Sequence, residues 1–255
     1  MPLYIRPGAD MTHVRKKRKK KHYFLKFILF AALCTGLFFL LSSEYFDIQK
    51  IRVKGNNNYT KQQVVKMSGI KKGENIFALR ARKTRENMKE NSYIYDVKIR
   101  RSLPDKVVLE IKERKEQAAV PYEDSYIMID REGYVLKKTK EEPKLTVIQG
   151  MTIERMKEGK KMKVKEGIVL EDTLTMLVTM KKSDLFFKKI DISKVIIKAY
   201  IYDSLVCEGT PSNIMKSMKN GDLEAVLYDL YQKDIKRGVI NIGEDDYCSF
   251  SPAIN

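Results

Sequence analysis

Residues 95–113, YDVKIRRSLPDKVVLEIKE, decide the fold of everything around them. Apolar side chains fall at every second position, first at Tyr95, Val97 and Ile99 and again at Val107, Leu109 and Ile111. That is the period of a strand with one face on a core. Between the runs, Leu103-Pro104-Asp105 supplies a reversal, so the stretch reads as two antiparallel strands. In the second strand Val107, Leu109 and Ile111 are expected to face a helical layer, with Val108, Glu110 and Lys112 turned outward.

Working toward the amino terminus, Arg80 to Glu90 reads as a short helix with Ala81, Thr84 and Met88 on one face. A better-marked helix precedes it. Thr60 is its expected N-cap, Gln63 the partner three residues on, Val64 and Met67 its inner face and Gly69 its end. Phe46 to Val53 reads as a strand, closed by the turn Gly55-Asn56-Asn57-Asn58. The order from residue 46 is strand, helix, helix, strand, strand.

Further upstream the character changes. Arg15, Lys16, Lys17, Arg18, Lys19, Lys20 and Lys21 form an unbroken basic run, and Tyr23 to Leu41 follows with Lys26 as its single charge. At ~1.5 Å per residue a helix of that length covers roughly 30 Å of hydrocarbon, with Lys26 close enough to one end to snorkel. Apolar residues occupy every face, which separates a span from a helix lying on a surface. The basic run ahead of the span and Ser42, Ser43, Glu44 and Asp47 behind it set the orientation: amino terminus cytoplasmic, residues from 42 outside. A cleaved signal peptide would have a shorter apolar stretch and an Ala-x-Ala-like site near Leu41, and neither is present. A nucleic-acid role for the basic run is the weaker reading, because its place beside a span already gives it a topogenic job.

The chain has 255 residues and a net charge of +17. Of its 50 Lys+Arg and 33 Asp+Glu, nine and one lie in residues 1–41, which leaves 41 against 32 outside, about +9. Most of that surplus is single lysines among apolar residues, the pattern of solvated faces, with attraction to acidic lipid or wall polymers as the second reading.

Downstream of residue 115, Tyr126 to Leu136 (YIMIDREGYVL) reads as two alternating strands around a turn in which Asp130 bonds backbone and Gly133 takes positive φ. A long helix is expected from about Glu166 to Lys182 on Leu170, Leu174, Leu177 and Val178. Two strands follow, Val195–Tyr202 and Leu205–Glu208, and then a second long helix opened by Thr210-Pro211 and carrying Leu223, Leu227 and Leu230. Gly238–Ile242 and Tyr247–Phe250 read as closing strands.

Several of these segments together resemble the FtsQ/DivIB family of bacterial cell-division proteins. Ile51-Arg52-Val53-Lys54-Gly55-Asn56 is similar to the opening strand and turn of the family's POTRA domain. Gly73-Glu74-Asn75-Ile76-Phe77 is similar to its Gly-x-Asn-Leu-Phe, Arg100-Arg101-Ser102-Leu103-Pro104 to its basic hairpin, Glu113-Arg114 to its closing Glu-Arg, and Tyr126 to Leu136 to its Asp-x-x-Gly hairpin. The sequence departs from the pattern at Ser92 and Glu116, where Pro is common, and at Asn241, where Asp is common. The resemblance implies an α+β protein: a basic cytoplasmic tail over 1–22, a transmembrane helix over 23–41, a βααββ POTRA domain over 42–115 and a second α+β domain with an antiparallel sheet over 116–255. It also implies a non-catalytic scaffold at the division septum. Such a scaffold binds FtsL-like and FtsB/DivIC-like single-span partners outside the membrane and links them to septal peptidoglycan synthases. The competing class is a membrane-anchored extracytoplasmic enzyme, or a translocation factor, that carries a POTRA module.

The chemistry bears on that choice. The chain's two histidines are His13 and His22, so a Ser-His-Asp or Cys-His site, or a histidine-ligated zinc, has no histidine to use beyond residue 22. Glu123-Asp124, Glu171-Asp172 and Glu244-Asp245-Asp246 put carboxylates side by side, but acids gather at turns and helix starts for their own reasons. No phosphate-binding glycine loop stands out, and no cofactor is expected. A translocation factor would be expected to repeat its POTRA unit, and this chain shows one. Cys34 falls in the span; Cys207 and Cys248 bound a 41-residue interval and could pair only if their strands are neighbours. A final strand is commonly a sheet edge, where a partner can add its own strand. Tyr247 and Phe250 are the expected side-chain contacts there, packing on the domain's own core being the alternative.

Overall fold

The computed structural model describes residues 23–181, 185–244 and 247–252. Helix α1 (Tyr23–Leu41) leads, with its apolar side chains exposed on all sides, as suits a helix made for lipid rather than for a protein core. It is long and apolar enough to cross a membrane. The basic run Arg15–Lys21 lies outside the described residues.

A short 3-10 turn (Glu44–Phe46) leads into strand β1 (Lys50–Lys54), helices α2 (Lys61–Ser68) and α3 (Ala81–Met88), and strands β2 (Ile94–Ser102) and β3 (Lys106–Glu113). The βααββ order is the one expected, although β1 begins later than Phe46. The sheet order is β1-β3-β2, with β1 parallel and β2 antiparallel to β3. Thr60 Oγ1 accepts from Gln63 N while Thr60 N donates to the Gln63 side chain, so both ends of the capping box close. Gly69 ends α2 at φ 67°. Val64 and Met88 bury in one core with Val107, Leu109 and Ile111, Thr84 is buried on α3, and Val108, Glu110 and Lys112 face away, as the alternation required. Gly55 is fixed by space as well as by its φ of 79°, since a Cβ there would come within 2.2 Å of Ile111 O.

One register expectation fails, and the reason is local. Ile94 pairs with Glu113 but Asp96 with Lys112, so Tyr95 is an extra residue in β2. The bulge turns Ile94 and Val97 inward and swings Tyr95 out of the core.

Among the described residues after β3, nine strands form one sheet. Its strands are β4 (Glu116–Tyr122), β5 (Ser125–Asp130), β6 (Val135–Thr139), β7 (Val147–Gln149), β10 (Lys189–Asp191), β11 (Ile197–Tyr202), β12 (Leu205–Gly209), β13 (Gly238–Ile242) and β14 (Cys248–Ser251). A separate two-stranded ladder joins β8 (Ile153–Arg155) and β9 (Lys163–Val164). The order is β14-β13-β12-β11-β10-β7-β4-β5-β6, with β14 and β6 at the edges. Parallel pairs such as β12–β13 need a crossover, which helices supply. Three helices, α4 (Gly167–Met180), α5 (Pro211–Asn220) and α6 (Asp222–Gln232), cover one face through Leu170, Leu174, Leu177, Ile214, Leu223 and Leu230. The second long helix expected from Thr210 is thus two: Gly221, at φ 84°, ends α5 and stands before α6. Val178 is exposed rather than inward, and Val195 and Ile196 precede β11. The turn between β5 and β6 forms as read, with Asp130 Oδ1 accepting from Glu132 N at 2.9 Å and Tyr134 N at 2.8 Å, and Gly133 at φ 80°.

Where the two sheets meet, Arg114 follows β3 directly. Its guanidinium is paired with Asp130, lies 3.3 Å from Glu132, and stacks 3.7 Å above the Tyr134 ring and 5.0 Å from that of Tyr95. The bulge in β2 is what places Tyr95 there. Ser92 Oγ donates to Leu136 O at 2.6 Å, and Tyr93 packs beside Ala119, Met128 and Leu136 on the sheet face that the helices leave uncovered. Cys207 and Cys248 lie on strands separated by β13 and are free. Burial pushes the Cys207 thiol up to about 12.

Candidate partner-binding edge

The carboxyl-terminal hairpin is shaped by its turn. Gly243 N donates to Tyr247 O at 2.9 Å, and β14 pairs antiparallel with β13 at Val239↔Ser251, Ile240↔Phe250, Asn241↔Ser249 and Ile242↔Cys248. Antiparallel ladders alternate bonded and non-bonded pairs. Counting from the Gly243–Tyr247 bond, the bonded pairs fall at Asn241/Ser249 and Val239/Ser251. The N–H and C=O groups of Cys248 and Phe250 therefore point to the open side of β14. Among the described residues, no strand pairs with that side.

The two edges of the sheet differ in chemistry. Strand β6 carries Lys137 and Lys138, ion-paired to Glu116 and Glu123, and charged edges resist the addition of another strand. Strand β14, Cys-Ser-Phe-Ser, carries no charge. It is also held firmly from behind: buried Ser217 of α5 sits 3.1 Å from Cys248 Sγ, and Phe250 packs on the main core. Gly238 makes room for that ring, since a Cβ there would lie 2.5 Å from it.

The structure separates the two aromatic residues read from the sequence. Tyr247 lies just ahead of β14 and is 66% exposed, free to meet a partner. Phe250 is half-buried on β14 and serves the core with at least part of its ring. Sequence reasoning missed an adjoining groove. The segment Asp234–Lys236, just ahead of β13, lines an apolar groove with Leu227 and Leu230, rimmed by the exposed rings of Phe186, Tyr202, Tyr228 and Tyr231. Tyr228 and Tyr231 stand three apart on the outer face of α6, a spacing that could have signalled it.

Among the described residues no group of three or more His, Cys, Asp or Glu side chains is placed to hold a metal ion.

With this geometry in view, comparison with known proteins gives the class first. Residues 46–114 match the family described as "POTRA domain, FtsQ-type", so the βααββ unit is a POTRA-type domain behind a candidate transmembrane helix. The chain is 30% identical over 239 residues to the cell division protein DivIB of Clostridium botulinum (strain Hall), covering 91% of this chain and 92% of that one. It is 30% identical over 215 residues to DivIB of Clostridium acetobutylicum, covering 82% and 84%. Similarity reaches the cell division protein FtsQ of Syntrophotalea carbinolica, at 29% over 131 residues, 51% of this chain and 46% of that one. The chain belongs to the FtsQ/DivIB family.

Proposed function

We propose that this protein is a non-catalytic scaffold of the bacterial division septum, anchored by α1 with residues 1–22 in the cytoplasm. Its POTRA domain over 42–115 and second domain over 116–255 work outside the membrane. The uncharged, open edge of β14 carries the reading: FtsL-like and FtsB/DivIC-like partners add a strand there, and through them the scaffold reaches septal peptidoglycan synthases. Relatives named as cell division proteins support the setting, and the lack of histidine beyond residue 22 supports a binding rather than a catalytic role.

Replacing Cys248 tests the edge. Cys248→Pro removes an outward N–H while leaving the bonded pairs with β13 in place, and proline is tolerated at an edge strand. Capture of the detergent-solubilised FtsL/DivIC-like partners is expected to weaken at least about tenfold, roughly 1.4 kcal/mol. Cys248→Ala, which loses the thiol but keeps the N–H, is expected to bind as the unchanged protein does. If Cys248→Pro unfolds at the normal temperature and still captures partners at full strength, strand addition at β14 is wrong.

Orientation has its own check. Protease added outside intact protoplasts is expected to digest residues 46–255 and spare the tail before Lys21, because the basic run holds its side back from translocation. The reverse pattern of protection would reject the proposed topology.

A further inference from the structure

The POTRA-type domain follows α1 with almost no slack. Helix α1 ends at Leu41 and the 3-10 turn begins at Glu44, so even a fully extended connection of ~3.5 Å per residue keeps Tyr45 within about 14 Å of the helix end. A folded contact shortens this further: Asn75 Nδ2 donates to Leu41 O at 2.8 Å, bringing the 73–79 loop onto the last turn of α1. If α1 spans the bilayer, the end of the domain that carries this loop sits at the lipid surface.

That end exposes three large apolar side chains far apart in sequence: Tyr45 at 68%, Phe77 at 41% and Leu103 at 57%. Single exposed apolar residues are ordinary on any surface. Here the topology gathers them. Strands β1 and β3 run parallel from Lys50 and Lys106, β2 ends opposite at Ser102, and Asp105 O accepts from Gln49 N at 2.9 Å. The 103–105 turn therefore shares the end of the sheet on which the 44–49 segment enters. Tyr45, Phe46 and Phe77 form a chain of rings with centroids 5.1 and 5.2 Å apart.

The loop is also fixed, so Phe77 is presented rather than left to wander. Ile76 is fully buried and its N–H donates to Phe46 O at 2.9 Å. Arg101 reaches up from β2 to donate to Ile76 O at 2.9 Å and Leu79 O at 2.6 Å. Exposed Arg80 and Arg101 flank the patch with positive charge. An aromatic and aliphatic rim beside a membrane helix, bordered by cations, is the chemistry of a bilayer interface.

We propose that this end of the domain docks on the bilayer, with Phe77 and Leu103 sunk among the lipid headgroups, so that α1 and the POTRA-type domain hold one orientation instead of swivelling. The inference rests on α1 being a span. Because the chain contains no tryptophan, single reporters can be read without background. Full-length protein is placed in lipid nanodiscs free of any other protein, with acyl chains brominated in one set near the headgroup and in another near the bilayer centre. Leu33→Trp reports the span, Phe77→Trp the docked loop, and Tyr228→Trp the exposed rim of the α6 groove, outside the proposed bilayer contact. Quenching and a blue shift at positions 33 and 77, with neither at 228, are expected. Leu103→Trp replaces the position 77 reporter, under the same criterion, if Phe77→Trp fails to fold. Quenching at 33 with a water-like, unquenched signal at the loop reporter overturns docking alone, and would leave the patch to a protein partner. No quenching at 33 overturns the span and the docking with it.

Discussion

Leu109→Ala is expected to destabilise the POTRA-type domain by roughly 2–5 kcal/mol, whereas Lys112→Ala on the same strand should change stability by no more than about 0.5 kcal/mol. Leu109 is fully buried between Val53 of β1 and Ile99 of β2, beneath the two helices. Truncation there removes apolar contacts and leaves a cavity, because a three-stranded sheet pinned under α2 and α3 can collapse only partly. Lys112 is exposed, so its loss removes little more than solvated methylenes. Urea unfolding of both variants decides the matter. Equal losses would mean the β3 register is wrong, and with it the helix-facing surface of the domain, since a slip of one residue exchanges every side chain between faces.

What the sequence disclosed and what it hid divide along sequence distance. The Thr60–Gln63 cap, the Asp130–Gly133 turn and the long apolar helix α1 are written in neighbouring residues whose local chemistry has one good solution. Tyr95 misled because a bulge inserts one residue into an otherwise regular alternation, and nothing in Ile94-Tyr95-Asp96 marks the position. The break at Gly221 was hidden by apolar residues continuing on both sides of it. Strands β7 and β10, three residues each, are too short to show a period, yet their parallel pairing places them at the centre of the nine-stranded sheet. The open edge at β14 could be anticipated from chain order. Its contrast with lysine-bearing β6 could not, because which strand becomes the other edge is set by pairings far apart in sequence. The patch of Tyr45, Phe77 and Leu103 is invisible for the same reason.

The junction between the sheets is where a single side chain is expected to matter most. Arg114→Met should cost about 3–5 kcal/mol, because Arg114 and Asp130 have side chains only 10% and 4% exposed, and removing the cation strands a buried carboxylate. The size of the effect comes from that abandoned charge rather than from the net worth of the pair, which predicts a partial rescue. Asp130→Asn added to Arg114→Met should recover a large part of the loss, since the amide oxygen can still accept from Glu132 N and Tyr134 N while the stranded charge is gone. Equilibrium denaturation of the two variants provides the comparison. If the double variant is as unstable as Arg114→Met, the cost lies in the stacking of the guanidinium on Tyr134 and Tyr95 and not in the charge. The position of this pair gives it a reach beyond stability. Arg114 sits one residue past β3, and Asp130 closes the β5 strand of the nine-stranded sheet. Together they tie the POTRA-type domain to the sheet whose far edge is β14. On the proposed function, loosening the pair is expected to weaken partner capture even in molecules that remain folded, without any change at the edge itself.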